Sequence, residues 1–196
     1  MSSARGYLAL QLEDFLDEVA SADLLPGAGF VAAVGVAMSA GLVAMTARLS
    51  HEHWPEARAV AAQAESLRRR VTPLAELNAE AYGAAVATLR GEGSAPGDRD
   101  EEIARALDRA ARVPLAICET AGDVVALAAD VVERGEQSLR ADAAVAALVS
   151  HACARGAAAL VEVNLATQPG DDRLSQVRAC LGAASVALDR ALAPAA

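Results

Sequence analysis

Leu25-Pro26-Gly27-Ala28-Gly29-Phe30 opens a run, from Leu24 to Ala47, in which no residue carries a charge. Two glycines just after a proline let the backbone take turns that a side chain would forbid. A helix starting directly after such a turn aims its first free N–H groups at whatever occupies it. About twenty uncharged residues suit either a membrane span or the central helix of a packed bundle. This run opens near its start with Pro-Gly-Ala-Gly, is rich in Ala, Gly, Ser and Thr, and lacks interfacial aromatic belts at both ends. Weak lipophilicity without interfacial anchors favours the buried central helix, so no membrane partner is expected.

The rest of the chain extends that reading. Alanine makes up roughly a quarter of the 196 residues and aromatics only 3%, a composition suited to helices and poor in strand formers. The expected class is all-α: a single-domain helical bundle of six to eight helices spanning residues 1–196, packed closely through Ala and Gly. A net charge of −9, with scattered arginines, argues against a phosphate-backbone partner, so no nucleic acid is expected. Cys118, Cys153 and Cys180 are odd in number and far apart. Reduced thiols and a cytoplasmic protein are the expectation, which the absence of a signal-like block before Glu13 supports.

Periodicity places a first helix on Leu8, Leu12, Phe15, Leu16 and Val19, and a second from about Gly29 to Ser50. A third starts at Pro55 and runs to Arg70, where Pro73 ends or kinks it, with periodicity resuming from Leu74 to Leu89. Gly91 to Gly97 reads as a loop, after which Asp98 or Asp100 caps a helix reaching Val113. Pro114 kinks that helix or starts a new segment to Arg134, and Gly135 suits a left-handed helix end. A further helix covers Leu139 to Ala166, interrupted or closely packed at Gly156. Asp171 or Asp172 opens the last, which finishes at Pro194.

Few side chains suggest chemistry. His51-x-His53 lacks the further ligands that a zinc site needs, so no metal site is assigned. Ser39, Ser150, His151 and Asp142 form no recognisable triad geometry. Arg68-Arg69-Arg70 reads as a solvated face. Asp142 and Asn164 stand out as polar residues within apolar, Ala-rich helices, where a buried polar group needs a partner or lines a site; an N-cap for Asp142 and a frayed helix end for Asn164 are the plain alternatives. Glu76 and Glu80 share a helix face, as do Asn78 and Tyr82.

Taken in order, Phe15-Leu16-Asp17-Glu18-Val19-Ala20, Pro26-Gly27-Ala28-Gly29-Phe30-Val31-Ala32-Ala33, Asn78-Ala79-Glu80-Ala81-Tyr82, Arg99 with Val113-Pro114-Leu115, Arg134-Gly135 with Asp142 and Val145-Ala146-Ala147, and Val163-Asn164-Leu165 resemble the formiminotransferase-cyclodeaminase and methenyltetrahydrofolate cyclohydrolase family. The resemblance implies an all-helical homodimer acting on a one-carbon folate, where a general acid/base moves protons at a C–N bond. It assigns Asp142 as the acid/base, Asn78 and Asn164 as hydrogen-bonding orienters, and Gly27, Ala28, Gly29, Phe30, Tyr82 and Arg99 as substrate contacts. No cofactor is implied, a tetrahydrofolate derivative entering only as substrate.

The departures point elsewhere. Ala28 and Phe30 replace two positions of the family's Gly-Gly-Gly-Ser turn, Asn78 stands where an acid is usual, Glu136 and Ser138 replace Asn residues, and Leu160 replaces another. Around His51-Glu52-His53-Trp54 the family's basic residues are missing, which weakens capture of an anionic tail. The leading expectation is therefore a divergent enzyme closing a ring, or catalysing a related step, on a less polar, non-folate small molecule. The alternatives are an ordinary folate cyclohydrolase or cyclodeaminase, and a non-catalytic dimeric binding protein.

Overall fold

The computed structural model describes residues 6–91 and 99–194. Six α-helices cover most of them, α1 (Leu12–Ala20), α2 (Ala28–Leu49), α3 (Ala57–Leu89), α4 (Arg99–Arg134), α5 (Arg140–Asn164) and α6 (Asp172–Leu192), with single 3₁₀ turns at Tyr7–Ala9 and Gln137–Leu139 and no strand among the described residues. The uncharged run becomes α2, which packs against α3, α4 and α5. Its hydroxyls do not disturb the core, because Ser39, Thr46 and Ser50 each donate to a carbonyl of the preceding turn. Alanine and valine dominate the interior, and Phe30, Ile117 and Leu165 are its largest fully buried side chains.

Cross-links between helices define two ends of the bundle. Gly29 meets Asn78, Asn164 meets Ala110, and Arg173 meets Asp108, so the N-termini of α2, α4 and α6 gather with the C-terminal parts of α3 and α5. At the opposite end Ser50 bonds Glu136 and Arg140 bonds Ala193.

Several local expectations are corrected. Pro73 and Pro114 both sit inside continuous helices. Proline removes an N–H and frees the carbonyl four residues earlier. Pro73 lies on an exposed face of α3, where water can serve that carbonyl. Pro114 is buried, and the freed Ala110 carbonyl accepts instead from Asn164 Nδ2 at 3.3 Å. Gly135 is not left-handed, since Gly91 is the one glycine with positive φ among the described residues; it is small because a Cβ there would lie 2.5 Å from the Val131 carbonyl and 2.9 Å from Ser50 Oγ. Gly156 neither interrupts α5 nor meets another side chain, facing open space. Asp171 caps α6 by accepting from the Arg173 N–H. The loop read at Gly91 to Gly97 falls, beyond Gly91, outside the described residues, as does the Asp98 cap.

Candidate functional site

The turn before α2 is built by Gly27, which caps the helix with extended backbone and no side-chain bond, so among the described residues no side chain accepts from the first N–H groups of α2. Gly29, the second residue of α2, is buried against Asn78: a Cβ at Gly29 would lie 2.3 Å from Asn78 Nδ2 and 2.4 Å from its Cγ. Asn78, only 7% exposed, is thereby held at the mouth of α2. Tyr82, one turn further along α3, packs its ring edge over Gly27 and keeps 38% exposure.

Beside this turn lies a cleft of about 920 Å³ between the N-terminal segment and α3. Tyr7, Tyr82 and Arg90 line it together with the carboxylates of Glu18, Asp23, Glu76 and Glu80. Glu76 also holds the strap in place, accepting the Leu8 N–H at 3.0 Å. Burial first, and then the Glu18, Glu76 and Asp23 carboxylates, push the Tyr7 phenol up. Glu76, Glu80 and Tyr82 were legible as faces of one helix. Tyr7, Glu18, Asp23 and Arg90 were not, because nothing local in the sequence says that the first segment folds back over α3.

Phe30 is fully buried and takes no part in the cleft wall. Its ring stands edge-on to Tyr7 and tilted against Phe15, each centroid 5.5 Å away. It is a core anchor for the N-terminal strap, which corrects its assignment as a substrate contact and removes the argument that it makes the cleft less polar. Arg99 is likewise turned to structure: its guanidinium donates to the Leu89 carbonyl and covers Gly91, bracing the α3–α4 connection. Asn164, expected as an orienter, spends its amide on Ala110.

Asp142 sits elsewhere. It is the third residue of α5, half-buried, while Leu139 occupies the cap position. Twenty-two helical residues separate it from Asn164, about 33 Å along one uninterrupted helix. A single chain therefore does not bring Asp142 together with Asn78, Asn164 or the Gly27 turn. The end of the bundle that carries Asp142 has its own polar network. Ser50 Oγ accepts the Glu136 N–H at 2.8 Å, and His53 pairs with the Glu136 carboxylate, which holds that carboxyl below its usual range. His51 is spent on the Arg48 carbonyl, at 2.8 Å. Trp54 is buried beside them, and its indole N–H has no acceptor among the described residues. The pairing of His53 with Glu136 spans 83 residues and left no local signal.

Comparison with known proteins identifies the family of this chain. A profile of the formiminotransferase-cyclodeaminase family matches residues 11–182. A methenyltetrahydrofolate cyclohydrolase of Methylorubrum extorquens is 37% identical over 166 residues, covering 78% of each chain. A formimidoyltransferase-cyclodeaminase of Sus scrofa is 30% identical over 176 residues, or 85% of this chain, which spans about a third of that longer protein (32%). The crystal structure of a formiminotetrahydrofolate cyclodeaminase from Thermotoga maritima superposes with a TM-score of 0.83, covering 95% of this chain and 96% of the other at 24% identity, and so shares the fold. The turn before α2, the Gly29–Asn78 contact and the bond from Asn164 to the Ala110 carbonyl are therefore features of a member of the formiminotransferase-cyclodeaminase family.

Proposed function

We propose that this chain is a methenyltetrahydrofolate cyclohydrolase. The observation that carries the reading is the 37% identity to the Methylorubrum extorquens cyclohydrolase over 78% of both chains. The expectation of a non-folate substrate rested on Ala28, Phe30, Asn78, Glu136, Ser138, Leu160 and the missing basic residues around His51 to Trp54; Phe30 drops out of that set, since it lies in the core. In the proposed reaction water adds to the methenyl carbon, a C–N bond of the five-membered ring breaks, and a formyl group remains. A base must take the proton from water and an acid must supply the ring nitrogen as it leaves.

Asp142 is the carboxylate proposed for that proton traffic, with Asn78 and the turn before α2 as the groups that position the substrate. Because these lie at opposite ends of one chain, the proposal includes a homodimer. Val31, Met38, Met45 and Leu49 on α2 and Val145, Leu148 and Val149 on α5 form exposed apolar strips on two helices that pack together. A second copy seated there, antiparallel about a two-fold axis, sets the Asp142 end of one copy beside the Gly27 end of the other.

The test is loss of methenyltetrahydrofolate absorbance with the purified chain, run beside a formiminotetrahydrofolate assay for ammonia release. Turnover of the methenyl compound, abolished in Asp142→Asn, is expected. Ammonia release alone would instead make the chain a cyclodeaminase, and neither activity would overturn the enzymatic reading. Sedimentation should give a dimer, and an active monomer would overturn the shared site.

A further inference from the structure

The α4–α6 seam holds two thiols that the proposed chemistry does not use. Cys118 is fully buried on α4, and Cys180 is half-buried on α6. Cys180 Sγ lies 3.3 Å from the Cys118 carbonyl oxygen. One turn further along α4, Gly122 lets α6 come close: a Cβ there would lie 2.9 Å from Cys180 Sγ and 4.0 Å from the Cys180 carbonyl oxygen. Cys153 is the third thiol, on α5, with its sulfur packed over Gly35 of α2.

We infer that Cys118 and Cys180 form an oxidisable dithiol, a modification site for peroxide whose product is a disulfide fastening α6 to α4. The roles follow from exposure. Cys180 reaches solvent and is the sulfur that a small oxidant meets first. The neighbouring Cys118 holds the Cys180 thiol down, against burial and the charges of Glu119 and Asp123, while the Cys180 neighbour and burial push Cys118 up. The Cys180 thiolate attacks one oxygen of hydrogen peroxide, hydroxide leaves, and a sulfenic acid forms. The Cys118 sulfur then attacks the sulfenyl sulfur; the S–S bond forms, and the Cys118 proton leaves with the displaced hydroxide as water. Two thiols and one peroxide become one disulfide and two waters.

The bond would close a long loop, the two residues being 62 apart in sequence. Such closure constrains the unfolded chain strongly, and for a domain of this size the thermal midpoint should rise on the order of 5–15 °C. The test treats the full chain with hydrogen peroxide, alkylates the remaining thiols, and reads intact mass and non-reducing peptide maps. The expected result is loss of two hydrogens, a Cys118–Cys180 linked peptide, an alkylated Cys153, and a higher midpoint that a dithiol reductant reverses. Cys118→Ala should leave Cys180 accumulating oxygen, and Cys180→Ser should show neither the link nor the shift. Wild-type chain that keeps its reduced mass, gains oxygen without a link, or links Cys153 or a second chain would overturn the assignment. A linked pair with an unmoved midpoint would overturn the bracing of α6.

Discussion

Asn164→Ala tests whether Asn164 serves the fold or the chemistry. Pro114 has no N–H, so the Ala110 carbonyl has no helical donor, and Ala110 is 4% exposed. Asn164 Nδ2 is what reaches it, at 3.3 Å. Leaving a buried carbonyl unpaired costs about 1–3 kcal/mol, and a bond at the long end of the normal range belongs near the bottom of that interval. The expected loss is therefore about 1 kcal/mol in urea unfolding, or roughly 2–4 °C in the thermal midpoint of a chain this long.

The decisive measurement is the double-mutant cycle with Pro114→Ala. Restoring an N–H at position 114 gives the Ala110 carbonyl its ordinary partner, so the Asn164 amide becomes dispensable. In that background Asn164→Ala should cost about 1 kcal/mol less than in the wild type. Additive effects, within about 0.3 kcal/mol, would refute the pairing. An activity loss in Asn164→Ala that Pro114→Ala does not relieve would return Asn164 to the substrate.

Three further outcomes follow from the same geometry. Gly29→Ala drives a Cβ to within 2.4 Å of Asn78 Cγ, and since that short buried side chain can escape only by rotating at χ1, the variant should lose about 1–2 kcal/mol in denaturant unfolding; Gly29→Ala/Asn78→Ala should recover most of it, and a neutral single variant would refute the contact. Phe30→Ala should cost about 3–5 kcal/mol of stability, read by urea unfolding, with the KM of folded protein for methenyltetrahydrofolate unmoved; a changed KM with unchanged stability would put Phe30 back in the cleft. Asp171 is held at about 2, below its usual 3.8, by its hydrogen bond to Arg173, and Asp108 is lowered by Arg173 and then Arg112. A depressed carboxyl stabilises above its unfolded value, so wild-type thermal stability should fall between about pH 4 and pH 2, and Asp171→Asn should flatten that slope; superimposable pH curves would refute it.

Much of the fold was legible because helical period and turn chemistry are local. The α2 bounds, the break at His51 to Trp54 and the Asp171 cap all follow from residues adjacent in sequence. What failed was local in form but tertiary in cause. Interior prolines look like stops until one knows that Pro73 faces solvent and that a side chain 54 residues from Ala110 supplies the bond that Pro114 cannot. Phe30 looked like a lost hydroxyl at a ligand-binding turn. Its partners, Tyr7 and Phe15, lie in a segment whose return over α3 no periodicity announces.

Asp142 is the instructive case, because its distance from Asn164 was in the sequence all along. Two residues 22 apart on one helix stand about 33 Å from each other, whatever packs around them. Only a break at Gly156 could have shortened that span, and Gly156 faces open space inside a continuous α5. The positions shared with the family therefore fall into separate groups: the turn before α2 with Asn78 at one end, and Arg134-Gly135 with Asp142 at the other. Internal pairings such as Asn164 with the Ala110 carbonyl account for fold, and need no ligand. The two polar ends are not explained by packing within one chain. If Asp142 is the proton carrier, a near-end variant such as Asn78→Leu mixed with Asp142→Asn must regain activity that neither has alone, since one shared site per mixed dimer would then carry both intact halves. Mixtures as inactive as their parts, in a protein shown to exchange subunits, would confine the reaction to one end and leave Asp142 as a residue of the first turn of α5.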